Sequence, residues 1–325
     1  MSAESQTRMV MPWLSRARKD AVARYALPWI RNSLRVIPFA WARDLLWRNF
    51  VGPRIWWREL DFVARTNFGA KISGNTADPI QGYICYFGLW EPNLTAWIAD
   101  RLKPGDVFVD VGANIGYFSL LASKLVGQTG RVVAIEPSPR TFELLRRNLD
   151  LNAARNVRPV NVAVSDREEE LQLFLPPGSD SLRTTVVQSL AGQQNYTPGS
   201  CVQALPLAAI LESHEIQAAR LIKIDVEGYE EHVIPSLLPM LKSCRADLEI
   251  VVEVAPSRFQ DQAKNSSALL EPFLSLGFHS YEIENEYGLR GYLMARRPKP
   301  PRRLTDASFT DQKDLILSRH DGATI

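Results

Sequence analysis

From Lys103 onward short apolar runs alternate with helix-forming segments, a rhythm that confines the chain to a parallel sheet covered by helices. Asp106 to Val111, Arg131 to Glu136, Val157 to Val164, Leu221 to Val226 and Leu248 to Val254 read as five buried strands. Tyr117 to Val126, Pro139 to Asn152, Tyr229 to Leu241 and Ser267 to Leu276 have the composition and length of crossover helices. Glu170 to Pro206 reads as an inserted hairpin, with strands Leu171 to Leu175 and Cys201 to Leu205 around a long Pro-Gly-bounded loop that carries Ser179, Ser181 and Arg183. Phe278 to Ile283 and Gly291 to Arg296 are expected to append an antiparallel pair and end the sheet. The division expected is a basic, Trp-rich helical extension over 1–75, the α/β domain over 76–297 and a loosely ordered tail over 298–325.

The first strand runs into Asp110-Val111-Gly112-Ala113-Asn114-Ile115-Gly116, a glycine-bearing turn that opens a helix. Gly112 and Gly116 permit the close backbone approach that a nucleotide cofactor across the strand ends requires. Glu136 closes the second strand, where a carboxylate can accept both ribose hydroxyls of an adenosine, and Asp166 follows the third, within reach of an adenine amine. A strand-final carboxylate is costly without such a partner. No G-x-G and no G-x-x-x-x-G-K-[ST] occurs, which weighs against nicotinamide, flavin and nucleoside triphosphate cofactors. A cofactor without phosphates fits: S-adenosylmethionine offers an adenosine to Glu136 and Asp166 and a cationic amino-acid end to Asp110.

Lys and Arg total 38 against 36 Asp and Glu, so the whole chain has no field that points to nucleic acid. Cys85, Cys201 and Cys244 are odd in number and form no C-x-x-C, which argues against a disulfide framework and a zinc site. A reducing, cytoplasmic setting is expected. His214, His232, His279 and His320 show no ligand spacing; all four read as surface or capping residues, and no protein metal site is expected.

GDVFVDVGANIGYFSLLASKLVGQTGRVVAIEPSPRTFELLRRNLDLN, then VNVAVSDREEELQL and LIKIDVEGYEEHVI, after the lead-in FGLWEPNLTAWIADRLKPGD, resembles the FkbM family of S-adenosylmethionine-dependent methyltransferases. The resemblance spans about Phe87 to Val254 as several motifs in order. It implies a Rossmann-like class I methyltransferase fold, cofactor contacts from Asp110, Gly112, Asn114, Gly116, Glu136 and Asp166, and O-methylation of a sugar, glycan or small natural product.

Methyl transfer from a sulfonium is an in-line displacement. Positioning can supply about 7–11 kcal/mol, against about 10²–10⁴ in rate from a placed base. The fourth strand delivers Asp225 and Glu227 to the sheet edge, two residues apart and thus on one face if the strand continues. Asp225 is expected to meet the acceptor and Glu227 to act as base or orienting group; a helix cap is the structural alternative. Glu253, in an otherwise apolar strand, needs a partner: a metal, a substrate hydroxyl or a donor such as Lys223, with the structural donor ranked first. Trp90 and Glu91 can line the pocket from the N-terminal side, or pack.

Trp13, Trp29, Trp41, Trp47, Trp56 and Trp57 are interleaved with arginines in segments broken by prolines. Such a segment suits either a helical cap on the catalytic domain, ranked first, or peripheral contact of residues 1–60 with an anionic membrane surface. The sequence leaves the oligomeric state and the acceptor open. Three rivals to the enzyme reading are a nucleotide-dependent oxidoreductase, a catalytically silent Rossmann-like binding module and a membrane-surface adaptor.

Overall fold

The computed structural model describes residues 16–325 except 57, 177–183, 194, 227, 260–264, 286 and 295–296. The chain divides into two compact units, Met1–Trp90 with Tyr287–Arg297, and Glu91–Glu286 with Pro298–Ile325. The first boundary therefore falls near Trp90, not at residue 75.

The first unit contains α1 (Arg16–Val36), α2 (Ala40–Leu46), the antiparallel pair β1 (Asp61–Arg65) and β2 (Lys71–Asn75), and the Pro79–Phe87 helix. Its helices are thus accompanied by one antiparallel hairpin. Asp78 accepts the Gln81 N–H and Pro79 occupies the first turn, which together start the Pro79–Phe87 helix. At the helix's other end, the Arg35 guanidinium donates to the carbonyls of Ile84, Cys85 and Tyr86 at 3.1, 2.9 and 3.2 Å. Cations are favoured there because the last carbonyls of a helix lack intrahelical donors.

The second unit is built on β3 (Val107–Val111), β4 (Arg131–Ile135), β5 (Val157–Val160), β6 (Ala163–Val164), β7 (Glu169–Leu175), β8 (Thr197–Leu205), β9 (Ala219–Ile224), β10 (Glu249–Val254), β11 (His279–Glu282), β12 (Arg302–Arg303) and β13 (Lys313–Ser318). Its main sheet has the order β12-β11-β13-β10-β9-β3-β4-β5. Strands β5, β4, β3, β9 and β10 are mutually parallel, and β13 runs antiparallel between β10 and β11. The inserted hairpin is present as β7 against β8, and β6 joins it to make a separate three-stranded sheet. Apolar side chains of both kinds of strand, among them Val109, Val133, Ile222, Ile250, Leu315 and Leu317, pack into one core cluster. This is the α/β Rossmann-like fold of class I methyltransferases.

Four expectations are corrected. The run Val157 to Val164 is two strands in two sheets, because the chain leaves the main sheet after Val160 and β6 pairs with β8. The helix over Tyr229–Leu241 shrinks to Glu230–Val233 and a 3₁₀ turn at Pro235–Leu237, since Pro235 and Pro239 lack the N–H that a continued helix needs. The run from Gly291 lies in a helix, Leu289–Met294, whose Tyr292 stacks on Tyr83 at 4.4 Å within the first unit. The antiparallel partner of β11 is β13, so the expected loose tail over 298–325 supplies a strand whose Leu315, Ile316 and Leu317 are wholly buried.

Candidate active site

The turn after β3 is shaped by its backbone. Gly112 and Gly116 have φ of +81° and +89°, and Asn114 has φ of +49°, a left-handed conformation that Asn tolerates better than most residues. The N–H groups of Gly112 and Ala113 both donate to the Ile135 carbonyl at 2.9 Å, which ties the turn to the end of β4. The Asn114 N–H donates to Glu136 Oε2 at 2.9 Å and the Ser138 N–H to Glu136 Oε1 at 3.0 Å. Glu136 thus sits immediately beyond β4, beside the glycine turn, with a second lone pair on each oxygen for further donors. Burial is the largest influence on it and raises its pKa to about 7, against the pull of the two N–H groups.

Asp110 lies within β3, 1% exposed. Its Oδ2 accepts from Ser119 Oγ at 2.6 Å, and its Oδ1 is buried with no hydrogen-bond partner at normal geometry. Burial pushes its pKa up, opposed chiefly by Lys223. Register places Asp110 opposite Lys223 on β9. Lys223 is itself buried, donates from Nζ to Asp225 Oδ2 at 3.0 Å and lies over the Phe118 ring at 4.9 Å. Burial alone would lower its pKa, but Asp225, Asp110 and Glu91 outweigh that and raise it. Around this single ammonium stand Asp110, Asp225 and the buried Glu91, with Glu136 close enough to feel both Asp110 and Asp225. Such a negative excess, with one carboxylate oxygen orphaned, fits a cationic ligand. S-adenosylmethionine, with a sulfonium and an α-ammonium, is of that kind.

Asp225 follows β9, its N–H donating to the Val111 carbonyl at 3.0 Å, and about a third of its side chain reaches solvent. A side chain at Gly112 is impossible there: a Cβ would stand 1.8 Å from the Asp225 carbonyl oxygen. Glu227 lies outside the described residues, as do Ser179, Ser181 and Arg183. Glu253 is on β10 at the same sheet edge, and Arg258 Nη1 meets its Oε1 at 3.3 Å. Its structural donor is Arg258, since Lys223 is committed to Asp225. Asp166 follows β6 of the small sheet, not β5, and lies 3.6 Å from His232 Nδ1 and 3.5 Å from Arg167 Nη1. His232, in the last turn of the Glu230–Val233 helix, is half-buried and stacked on Tyr229 at 4.5 Å, so of the surface and capping roles expected of it the surface one does not hold. Trp90 packs by Tyr83 and Tyr287 in the first unit.

Two contributions lie beyond the sequence reading. Lys223 enters that reading only as a donor to Glu253; its bond to Asp225 and its place opposite Asp110 depend on the end of β9 and on the β3–β9 register. Asn161, which donates to the carbonyls of Glu136 at 2.8 Å and Pro137 at 3.0 Å, follows β5 where an acidic residue was expected. Among the described residues no group of three or more His, Cys, Asp or Glu is arranged to hold a metal ion.

The parallel run β5-β4-β3-β9-β10 with β13 antiparallel beside it, the glycine turn after β3 and the buried Glu136 after β4 together define a class I methyltransferase domain. The profile of the Methyltransferase FkbM domain matches residues 110–282, just over half of the chain, and the chain belongs to that family, whose methyl donor is S-adenosylmethionine. It is 26% identical over 165 residues to the hexuronic acid methyltransferase AglP of Haloferax volcanii, covering 50% of this chain and 62% of that one. It is 30% identical over 158 residues to the 31-O-demethyl-FK506 methyltransferase FkbM of Streptomyces tacrolimicus, covering 41% and 60%. The chain thus spans about three fifths of the length of these curated relatives. A solved S-adenosylmethionine-dependent O-methyltransferase from Thermotoga maritima is 15% identical, covering 79% of this chain and 77% of its own, with a TM-score of 0.38.

Proposed function

We infer that the protein O-methylates a hydroxyl on a sugar, glycan or small natural product. The observation that carries this reading is Asp225: a partly exposed carboxylate at the cofactor edge, fixed by Lys223 and by backbone contact with Gly112. Bound S-adenosylmethionine supplies an electrophilic methyl carbon. Glu136 and Asp166 serve the adenosine, Asn114 and the two glycines shape the floor, and the carboxylates around Lys223 favour the cationic end. Asp225 accepts a hydrogen bond from the acceptor hydroxyl and aims its oxygen at the methyl carbon. With S-adenosylmethionine bound, its methyl group would pass to the acceptor oxygen and Asp225 or Glu227 would take the hydroxyl proton; Glu253, held by Arg258, is the third candidate. The named relatives act on a hexuronic acid and on a demethylated FK506, which supports a hydroxylated acceptor of either kind.

The location that accompanies this reading is the cytoplasm, with peripheral membrane contact through residues 1–60; the three cysteines are unpaired. Labelled S-adenosylmethionine incubated with an extract of the native organism, followed by mass identification of the product, tests the reaction. A product bearing a new O-methyl group is expected. Cofactor binding without any labelled product, or label on nitrogen or carbon, would overturn O-methylation and in the first case leave a silent binding module.

A further inference from the structure

The tryptophans and arginines of the first unit sort into two sets. Trp47 is 5% exposed and packs against Trp56, Tyr86 and Phe87, and Arg35 is spent on helix-end carbonyls. These are structural residues of the first unit. The second set stands exposed to solvent. Along α1, Ala23, Leu27 and Leu34 form a buried stripe, while Val22, Tyr25, Trp29 and Val36, spaced three, four and seven residues apart, stand exposed. Tyr25 is 82% and Trp29 78% exposed. In and before α2, Trp41 and Leu45 repeat the pattern one turn apart, with Phe39 stacked on Trp41 at 6.2 Å. With Phe50, these make eight of the fourteen large exposed apolar side chains among the described residues, gathered within Val22 to Phe50.

Exposed apolar side chains scattered singly need no explanation, but a concentration at helical spacing marks a docking surface. Charge selects the occupant. Between Val22 and Arg58 there are seven arginines and one acidic residue, Asp44. Arg24, Arg48 and Arg54 are exposed beside the apolar stripes. Aromatic rings with a polar edge, flanked by arginines, match the headgroup region of a bilayer whose lipids carry negative charge. No helix among the described residues is long and apolar enough to cross a membrane, so the match is to lying in the interface.

We propose that the exposed stripe of α1, through Val22, Tyr25, Trp29 and Val36, and the aromatic pair Phe39 and Trp41 insert into the interface of a membrane carrying anionic lipids, held by the neighbouring arginines. This places the protein beside membrane-bound acceptors, but binding to the bilayer is independent of methyl transfer and is measured without it.

The test uses the full chain with vesicles of phosphatidylcholine, alone or mixed with phosphatidylglycerol. The protein should sediment with the mixed vesicles at low salt, leave them in part at high salt, and bind the neutral ones weakly. Trp29→Ala and Tyr25→Ala should each lower vesicle affinity about tenfold, as loss of a buried aromatic ring implies. Both side chains are solvent-exposed, so the melting temperature and S-adenosylmethionine affinity should stay unchanged. Absence of sedimentation with mixed vesicles, or binding that survives the Tyr25→Ala/Trp29→Ala pair, overturns the proposal. Concentration-dependent self-association without vesicles that the same pair abolishes also overturns it, assigning the stripe to a second copy of the chain. Failure of methyl transfer with vesicle binding intact would sink only the catalytic reading.

Discussion

The Gly112 Cα faces the carbonyl oxygen of Asp225 so closely that a Cβ would stand 1.8 Å from it, joining the cofactor turn after β3 to the end of β9 backbone to backbone. The contact cannot be relieved by rotating a side chain, because the obstructing atom is main chain. The Asp225 carboxylate and the Gly112 turn, proposed above as the acceptor-side group and the cofactor floor, therefore share one geometry.

Gly112→Ala should accordingly cost both stability and cofactor affinity. The positive φ alone accounts for about 1–3 kcal/mol of strain, and displacement of Asp225 adds to it. Gly127 provides the control: its φ is +65° with nothing within 4 Å of a built Cβ, so Gly127→Ala carries strain without the collision. Thermal unfolding and calorimetric titration of both variants should show a larger loss at Gly112. Equal losses would mean that the contact with Asp225 contributes nothing.

If Glu136 holds the ribose as proposed, cofactor affinity should depend on pH. Its pKa in the cofactor-free protein is about 7, up from 4.5, mainly through burial. In the free protein this favours the neutral acid, a contribution to stability fully present below about 4.5 and lost as pH rises through 7. Ribose hydroxyls donate best to the ionised form, so binding draws the pKa down and expels a proton. Dissociation constants for S-adenosylmethionine should rise by up to about tenfold per pH unit on acidification below 7. Titration at pH 6 in buffers of different ionisation enthalpy should register the proton release. Glu136→Gln should flatten the dependence, and Glu136→Ala should weaken binding at pH 8, with about 1.5–3 kcal/mol for each charge-assisted hydrogen bond lost.

Lys223 and Asp225 are separable by their effects. Asp225→Asn keeps the shape of a side chain that is partly in water and should lower turnover far more than melting temperature. Lys223→Met removes the one ammonium from among three carboxylates and should cost about 3–5 kcal/mol, as breaking a buried pair does. If that cost is electrostatic, adding Asp110→Asn to Lys223→Met should recover part of it. A double variant no more stable than Lys223→Met would assign the loss to packing on Phe118 instead.

The legible and illegible parts of this site divide along physical lines. Gly112, Gly116 and Glu136 are readable because turn chemistry and a strand-final carboxylate are local features, and β3, β4, β9 and β10 are readable because their burial leaves mostly apolar runs, whereas β5, Val-Arg-Pro-Val, gives no such run to mark its end. The opposition of Asp110 and Lys223 is a matter of register between strands far apart in sequence, which no local pattern records. Asp166 kept its distance from β5 because the chain turns out of the main sheet at Asn161. Pro235 and Pro239 are local breaks in an otherwise helical run, and the helix ends at Val233 just before the first of them.

The most consequential unread element is β13, and it yields the sharpest test of the fold. Lys313–Ser318 holds only three consecutive apolar residues inside a polar tail, too few to distinguish a strand from a loose end by periodicity. Yet Ile316 lies opposite Val251 of β10 and Tyr281 of β11, and it is 0% exposed. A core position of this kind loses about 2–5 kcal/mol on truncation to Ala, and in a domain of this size each kcal/mol lowers the melting temperature by about 2–4 °C. Ile316→Ala should therefore melt about 5–15 °C lower by calorimetry, whereas Asp311→Ala, at an exposed site of the same segment, should shift it little. Removal of residues 304–325 should strip the sheet of its central antiparallel strand, expose the facing edges of β10 and β11, and leave an insoluble or unfolded second unit. A truncated protein that melts cooperatively at the parent temperature and still binds S-adenosylmethionine would restore the loose tail and refute this strand order.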